Sequence, residues 1–146
     1  MKRRSQNGNA LIEAALSLAV LGPIFLATFQ FGLAFVCYNN LANAVRAGAR
    51  YAAVRTYDSP TATPSAAFIR DVRNMTVYGD PHGGGRPVVA GLTPGHVEVA
   101  VITDRTVPQQ IRVSIRQFPM NVLVKTFQIS KPEAVFPYLG HYAPEN

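Results

Sequence analysis

The chain has 146 residues, which is enough for one small domain and one special segment but too few for a two-lobed enzyme. Its 14 Lys and Arg residues outnumber its 8 Asp and Glu residues, but Lys2, Arg3 and Arg4 supply half of that excess. The remaining charge is that of an ordinary protein surface and does not favour a nucleic-acid partner. Cys37 is the only cysteine, so an intramolecular disulfide is excluded.

An uncharged apolar run follows the basic start and extends from Ala14 to Tyr38. About 20 apolar residues in a helix span the ~30 Å hydrocarbon core of a bilayer, so this run is long enough to cross with some tilt. It exceeds the ~7–15 apolar residues of a cleaved secretory signal, although Ala42–Ala44 resembles the cleavage site of one. The basic residues predict a cytoplasmic N-terminus and a single-pass topology with the C-terminus outside.

Helical patterning continues beyond the apolar run. Small or branched apolar residues recur at spacings of three and four and form one stripe. They are Leu41, Val45, Gly48 and Ala52. The pattern predicts one helix from about residue 9 to 55, roughly 70 Å long. Its last third stands above the membrane as a stalk.

Arg46 and Arg50 lie four residues apart on another face of the predicted stalk. They form a basic edge that either pairs with acidic residues of the outer domain or of a neighbouring subunit, or simply faces water. Gly48 and the alanines around it permit close approach by a helix or a sheet. Arg46, Gly48 and Arg50 are therefore the predicted helix-stalk interface.

Gly22 and Pro23 lie inside the predicted helix. Proline removes one backbone donor and clashes with the preceding turn, so we expect a kink near residues 19–23. In a bilayer the freed carbonyl needs a partner from a neighbouring helix or water. The kink therefore indicates association with other helices.

The remaining sequence predicts a small α+β domain. Turn residues 56–65 precede an amphipathic helix over about residues 65–77, with Phe68, Ile69, Val72 and Met75 on its apolar side. Residues 79–87 read as an exposed loop. Alternating valines and isoleucines near residues 97–101 and 111–115 predict an antiparallel hairpin with Arg112 and Arg116 facing water. Residues 122–130 predict a third strand, and the tail from residue 136 has no clear assignment.

The sequence lacks the usual signatures of an enzyme. His82, His96 and His141 are far apart and far from Cys37, so no metal-ligand spacing is present. The glycine-rich residues 79–85 lack the lysine and hydroxyl of a phosphate-binding loop. We therefore expect no catalysis, cofactor, metal or small-molecule substrate.

The N-terminus resembles the class III signal of type IV prepilins and pseudopilins. A short basic leader ends in Gly8, and Glu13 follows five residues later at the head of the apolar helix. By this resemblance, the prepilin peptidase cuts between Gly8 and Asn9. Glu13 then becomes the fifth residue of the mature chain.

The helix as a whole is similar to the TadE-like family of pseudopilins from the tight-adherence (Tad, Flp) pilus system. The resemblance rests on Glu13, Pro23, the pair Phe31-Gly32 and the block Ala44–Ala52. Flp pilins carry a tyrosine after the glutamate, whereas Ala14 stands here, which fits a minor pseudopilin better than a major subunit.

This resemblance implies a long N-terminal transmembrane helix that continues as a stalk and carries a short helix and a small antiparallel sheet. The expected regions are a leader (1–8), a transmembrane helix (9–38), its extracytoplasmic continuation (39–56) and an outer domain (57–146). The implied function is initiation or assembly of a Tad/Flp-type pilus for adhesion or secretion. The implied partners are the bacterial inner membrane, other pilins and pseudopilins, the prepilin peptidase and the pilus assembly platform.

The resemblance to pseudopilins implies a charged partner for Glu13. Intramembrane ionisable groups usually pair, and the natural partner for Glu13 is the new amino group of Asn9 on the same or an adjacent subunit. Alternatively, Glu13 is a first-turn acid favoured by the helix dipole.

Two other functions remain open at this stage. One is an uncleaved single-pass envelope protein that displays a periplasmic interaction domain. The other is a DNA-uptake pseudopilin that binds DNA through Arg112, Arg116 and Lys125, with the steep salt dependence of phosphate contacts.

Overall fold

The computed structural model describes residues 4–59, 61, 63–104, 107–122 and 125–141. Two helices come first, followed by five strands. The elements are α1 (Arg4–Val54), α2 (Ala66–Tyr78), a short 3-10 helix (Pro94–His96), β1 (Val97–Asp104), β2 (Val107–Ile115), β3 (Phe118–Val122), β4 (Lys125–Ile129) and β5 (Glu133–Pro137). This architecture confirms the predicted α+β class. Lys2 and Arg3 of the expected leader and residues 142–146 of the tail lie outside the described residues.

The predicted long helix is a single element, α1, which has 51 residues and runs through Pro23. At 1.5 Å per residue it is about 75 Å long. It ends close to the expected position but begins at Arg4, so the described part of the expected leader is already helical. The bend expected at Pro23 stays a prediction.

Helix α2 has well-formed ends. Ser65 caps its N-terminus, where its Oγ accepts a hydrogen bond from the Phe68 amide at 3.1 Å. Gly79 ends it in the left-handed conformation, with φ of 73°, and its amide donates to the Met75 carbonyl at 3.0 Å. These caps place the helix within one residue of its predicted bounds.

The buried face of α2 differs from the predicted one. Phe68 and Val72 are buried as expected, but Ile69 and Met75 are only half-buried, whereas Thr76 is fully buried. The difference arises because α1 presents a glycine to α2, so a small polar side chain fits where a larger apolar one was expected.

The predicted hairpin forms the centre of the sheet. β1 pairs antiparallel with β2, with Val97 opposite Ile115 and Val101 opposite Ile111, and β5 pairs with the other edge of β2. Alternate residues of β2 therefore face α1, as the period of two predicted.

The strand predicted over residues 122–130 is present as β4, over Lys125–Ile129, but it does not join the sheet of β1 and β2. Residues Phe118–Val122 and Lys125–Ile129 pair with each other as a separate two-stranded hairpin, β3–β4. Glu133–Pro137 takes the place beside β2. A two-stranded ribbon exposes much of both faces. This explains why apolar and polar residues do not alternate cleanly along residues 122–130.

One hydrophobic core joins the stalk, α2 and the sheet. Buried side chains come from the last third of α1, from α2 and from one face of β1 and β2. The largest completely buried ones are Tyr57, Phe68, Leu41, Ile111, Ile115, Val45, Val72, Val77, Val97 and Val113. The predicted stripe Leu41, Val45, Gly48 and Ala52 is buried throughout. The stalk is thus a structural part of the outer domain.

Candidate assembly surfaces

The first two-thirds of α1 present an apolar surface that the rest of the chain leaves largely uncovered. Within the described residues, Gly8–Val54 is the one helix long and apolar enough to span a membrane, and none of its most apolar window, of mean hydropathy 2.1, is buried. Phe25 and Phe31, for example, are 71% and 72% exposed. This helix fits a single-pass membrane protein. Its surface must be covered by lipid or by other helices.

Gly8, Asn9 and Glu13 are all exposed on this helix. Asn9 and Glu13 are four residues apart and therefore lie on the same face, about 6 Å apart along the axis. Glu13 makes no ion pair or hydrogen bond with any described residue. An added Cβ at Gly8 would meet nothing within 4 Å. The geometry leaves this end of the helix available to partners.

Gly22 and Pro23 lie in the middle of the apolar surface. Open space surrounds Gly22. Pro23 has no amide hydrogen, so the Ala19 carbonyl one turn earlier loses its usual donor. One turn later, Thr28 Oγ1 donates to the Ile24 carbonyl at 2.9 Å. Proline thus leaves one backbone carbonyl of this apolar surface without its usual helical donor.

The three residues predicted as the stalk interface separate into two groups. Gly48 is buried against α2, where a Cβ would clash with Thr76 Oγ1. Arg46 and Arg50 are exposed, and Arg46 Nη1 donates to Asn43 Oδ1 at 3.2 Å. Neither arginine forms an ion pair in the described part of the chain. They form a basic edge that faces outward.

Residues 8–50 match the family model of TadE-like proteins. The match confirms the predicted resemblance and extends from Gly8 through the apolar helix to Arg50. Neither the curated proteins nor the solved structures gave a match. The outer domain beyond this TadE-like segment must therefore be understood from its own contacts.

An ion pair just beyond the TadE-like segment was missed in the sequence. Arg55 Nη1 lies 2.6 Å from Asp71 Oδ2 and 2.7 Å from the Tyr51 hydroxyl, and its guanidinium is 5.8 Å from the ring centre of Phe68. Burial opposes ionisation of Asp71, but hydrogen bonds from Arg55 and Arg70 outweigh it and hold the pKa of Asp71 below its ordinary value. Burial likewise opposes the charge on Arg55, but Asp71 and Tyr51 raise its pKa overall. The pair ties the end of α1 to α2.

Residues 138–141 form hydrogen bonds with the end of α1 and the residues that follow it. The Leu139 amide donates to the Ala53 carbonyl at 2.8 Å, and the Tyr57 amide donates to the His141 carbonyl at 2.9 Å. The Tyr138 hydroxyl lies 2.8 Å from the carbonyls of both Arg55 and His141. Burial is the main cause of the raised pKa of Tyr138. Residues 138–141 thus satisfy carbonyls that a helix end leaves without partners.

The outer face of the sheet carries a second ion pair. Arg116 Nε donates to Glu98 Oε2. Ser114 lies opposite Glu98 and is buried, although the alternation placed it on the water-facing side. The Arg116 hydrogen bond is the main cause of the lowered pKa of Glu98. Arg112 is exposed, and the side chain of Lys125 lies outside the described residues. One of the three predicted DNA-contacting charges is thus already neutralised.

Proposed function

We propose that this chain is a minor pseudopilin that helps to initiate or assemble a Tad/Flp-type pilus, which serves adhesion or secretion. The match of residues 8–50 to TadE-like proteins carries the proposal, because this segment holds Gly8, Asn9 and Glu13 at the start of an uncovered apolar helix. The partners are other pilins and pseudopilins, the prepilin peptidase and the assembly platform. The protein resides in the bacterial inner membrane with its N-terminus in the cytoplasm.

Cleavage after Gly8 creates the charge that Glu13 needs. A carboxylate at the centre of a bilayer helix costs about 2.5–3.5 kcal/mol, and less near the interface. The amino group freed on Asn9 stands on the same helix face, and the same group on an adjacent subunit offers an equivalent partner. Removing one member of a buried ion pair costs about 3–5 kcal/mol because the other charge remains unpaired. Pairing therefore favours one axial alignment of neighbouring helices.

The stalk transmits this alignment to the outer domain. α1 is a single helix from the membrane into the core, where Leu41 and Val45 are fully buried. The Arg55–Asp71 ion pair and the Tyr138 hydroxyl fix its end. The domain therefore presents its surfaces, including the basic edge of Arg46 and Arg50, in a fixed direction relative to the spanning helix.

The decisive experiment is an intact-mass measurement of the cellular protein with and without its cognate prepilin peptidase. The active peptidase should remove residues 1–8 and leave Asn9 at the N-terminus. A Gly8→Ala variant, in which a small residue keeps the helix, should retain the leader even with active peptidase. If the protein keeps residues 1–8 beside the active peptidase, it is an uncleaved envelope anchor and the processed-pseudopilin function fails.

A further inference from the structure

The β3–β4 hairpin lies alongside the helix segment that the apolar run assigns to the membrane. Within α1, Gln30, Ala34 and Cys37 are half-buried, whereas the large apolar side chains around them are exposed. Their spacing of four and three places them on one face. A shallow cavity of about 210 Å³ separates this face from the first four residues of β3, Phe118, Pro119, Met120 and Asn121. The hairpin thus covers one side of the helix.

The hairpin extends along the helix towards the membrane. Phe118 at the start of β3 is 3% exposed and belongs to the same core as Leu41. Met120 and Asn121 line the same cavity as Gln30, which is eleven residues earlier on α1 than Leu41. At 1.5 Å per residue that is about 16 Å closer to the membrane. The hairpin therefore reaches closer to the bilayer than the core around Leu41 does.

The apolar run is longer than the hydrocarbon core is thick, so hydrocarbon cannot surround the run along its whole length. The run from Ala14 to Tyr38 is roughly 37 Å long as a helix, whereas the hydrocarbon core is ~30 Å thick. The hairpin overlaps its outer end from Gln30 onwards. In the described part of the chain no third strand joins this two-stranded sheet, and open sheet edges do not occur in contact with hydrocarbon. The hydrocarbon must therefore end near the level of Gln30.

We propose that the β3–β4 hairpin rests in the lipid headgroup layer on the outer side of the membrane. Its two faces suit that layer, because Phe127 is 47% exposed on the face that it shares with Met120. The opposite face carries the exposed polar residues Asn121, Thr126 and Gln128. Amphipathic surfaces that combine an aromatic ring with polar groups are typical of the interface. The surface is continuous with that of the spanning helix, so the partner is the lipid bilayer itself.

This placement also fixes the inner boundary. About 20 residues of helix cross the hydrocarbon core, so an outer boundary at Gln30 puts the inner one near Ala10. Glu13 then lies roughly one helical turn inside the hydrocarbon on the cytoplasmic side. The inference rests on the proposed membrane span, and its test separates the two.

Site-directed fluorescence in vesicles tests the hairpin position. The full chain carrying Cys37→Ser receives one cysteine, labelled with an environment-sensitive fluorophore, and is reconstituted into phosphatidylcholine–phosphatidylglycerol vesicles. Thr126→Cys reports on the hairpin, Phe25→Cys on the span, and Ala100→Cys on β1 serves as an exposed control. Quencher groups are attached either near the headgroup end of the acyl chains or near the bilayer centre.

The shallow quencher should reduce the fluorescence at position 126 more than the deep one, and neither should affect position 100. Both quenchers should reduce the fluorescence at position 25, because the proposed boundaries place it about 7.5 Å from the bilayer centre and equally far from the outer boundary. Gln128→Cys repeats the measurement in case the first label disturbs the hairpin. Fluorescence at positions 126 and 128 that is as insensitive as at position 100, or that is quenched best from the bilayer centre, would overturn the proposal while leaving the span intact. An unquenched label at position 25 would remove the span itself and with it the proposed function.

Discussion

Replacing Gly48 with alanine tests whether the two helices are as close as the structure places them. A Cβ at this position would clash with Thr76 Oγ1 and would lie 3.1 Å from Thr76 Cβ and 3.5 Å from Thr76 Cα. Thr76 cannot turn away freely, because its Oγ1 donates to the Val72 carbonyl at 2.8 Å. The added methyl group must therefore break that hydrogen bond or push α2 away from α1.

Two opposing effects determine the size of the change. Alanine is favoured over glycine inside a helix by about 1 kcal/mol. Overpacking a core contact costs about 1–3 kcal/mol, and loss of the Thr76 hydrogen bond costs a further ~0.5–1.5 kcal/mol. Their balance predicts that Gly48→Ala lowers the free energy of unfolding by about 0.5–3.5 kcal/mol. In a domain of this size, each kcal/mol shifts Tm by roughly 4–8 °C.

Thermal unfolding of the full chain in detergent measures this change, with the near-ultraviolet circular dichroism of buried Tyr57 as the signal. Ala47→Gly at the exposed neighbouring position calibrates the helix propensity alone. Adding Thr76→Ala to Gly48→Ala should recover stability, because it removes the side chain that the methyl group meets. A higher Tm for Gly48→Ala than for the unmodified chain, or no recovery in the double variant, would refute the close helix contact.

Three further predictions concern the membrane end and the junction. Glu13→Ala should leave membrane insertion intact but reduce piliation, because the Asn9 amino group loses its partner. Cell fractionation measures the insertion and pilus counts measure the piliation. Normal piliation would contradict the pairing role. The pKa of Asp71 is lowered in the folded state. Its ion pair with Arg55 therefore stabilises the fold at pH values above the unfolded pKa of ~3.9. This stabilisation is lost as the pH falls through the lower pKa of the folded state. Unfolding experiments should show less acid sensitivity in Asp71→Asn than in the unmodified chain below about pH 4, and identical profiles would exclude this role. Tyr138→Phe should cost about 1 kcal/mol in a denaturant titration by removing the hydroxyl that bonds the Arg55 carbonyl, and an unchanged midpoint would show that this bond contributes nothing net.

Features with a strong local period were predictable from the sequence. The stripe from Leu41 to Ala52 and the alternation of Val97 to Val101 each require only the helical or strand repeat. The stripe and Val97 are buried as expected, and Val99 and Val101 are partly buried against the same core. The TadE-like resemblance was likewise contained in a continuous stretch of about 43 residues. Such signals survive in a single sequence because every residue that carries them lies on one element.

Features made by distant segments were not predictable. Asp71 is sixteen residues from Arg55, and Tyr138 is eighty-three residues from the carbonyl it meets. Nothing in the local pattern connects them. The sequence likewise did not indicate which strand joins β2, because pairing partners and not propensity decide this. A very short connection joins β3 (Phe118–Val122) to β4 (Lys125–Ile129), so pairing these two strands costs little loop-closure entropy.

The helix that carries the uncovered apolar surface also forms part of the core, and this limits how the protein can move. Tilting the outer domain away from α1 would remove Leu41, Val45, Ala49 and Ala52 from the core. Exposing even one leucine-sized side chain costs about 1.5–3 kcal/mol, so the domain and the helix move together. Leu41 lies roughly 42 Å along the axis from Glu13. If Glu13 pairing sets the register of neighbouring helices in a pilus, as proposed, it also sets the height and the direction of the outer domain. Loss of that pairing should then disturb subunit contacts far from Glu13.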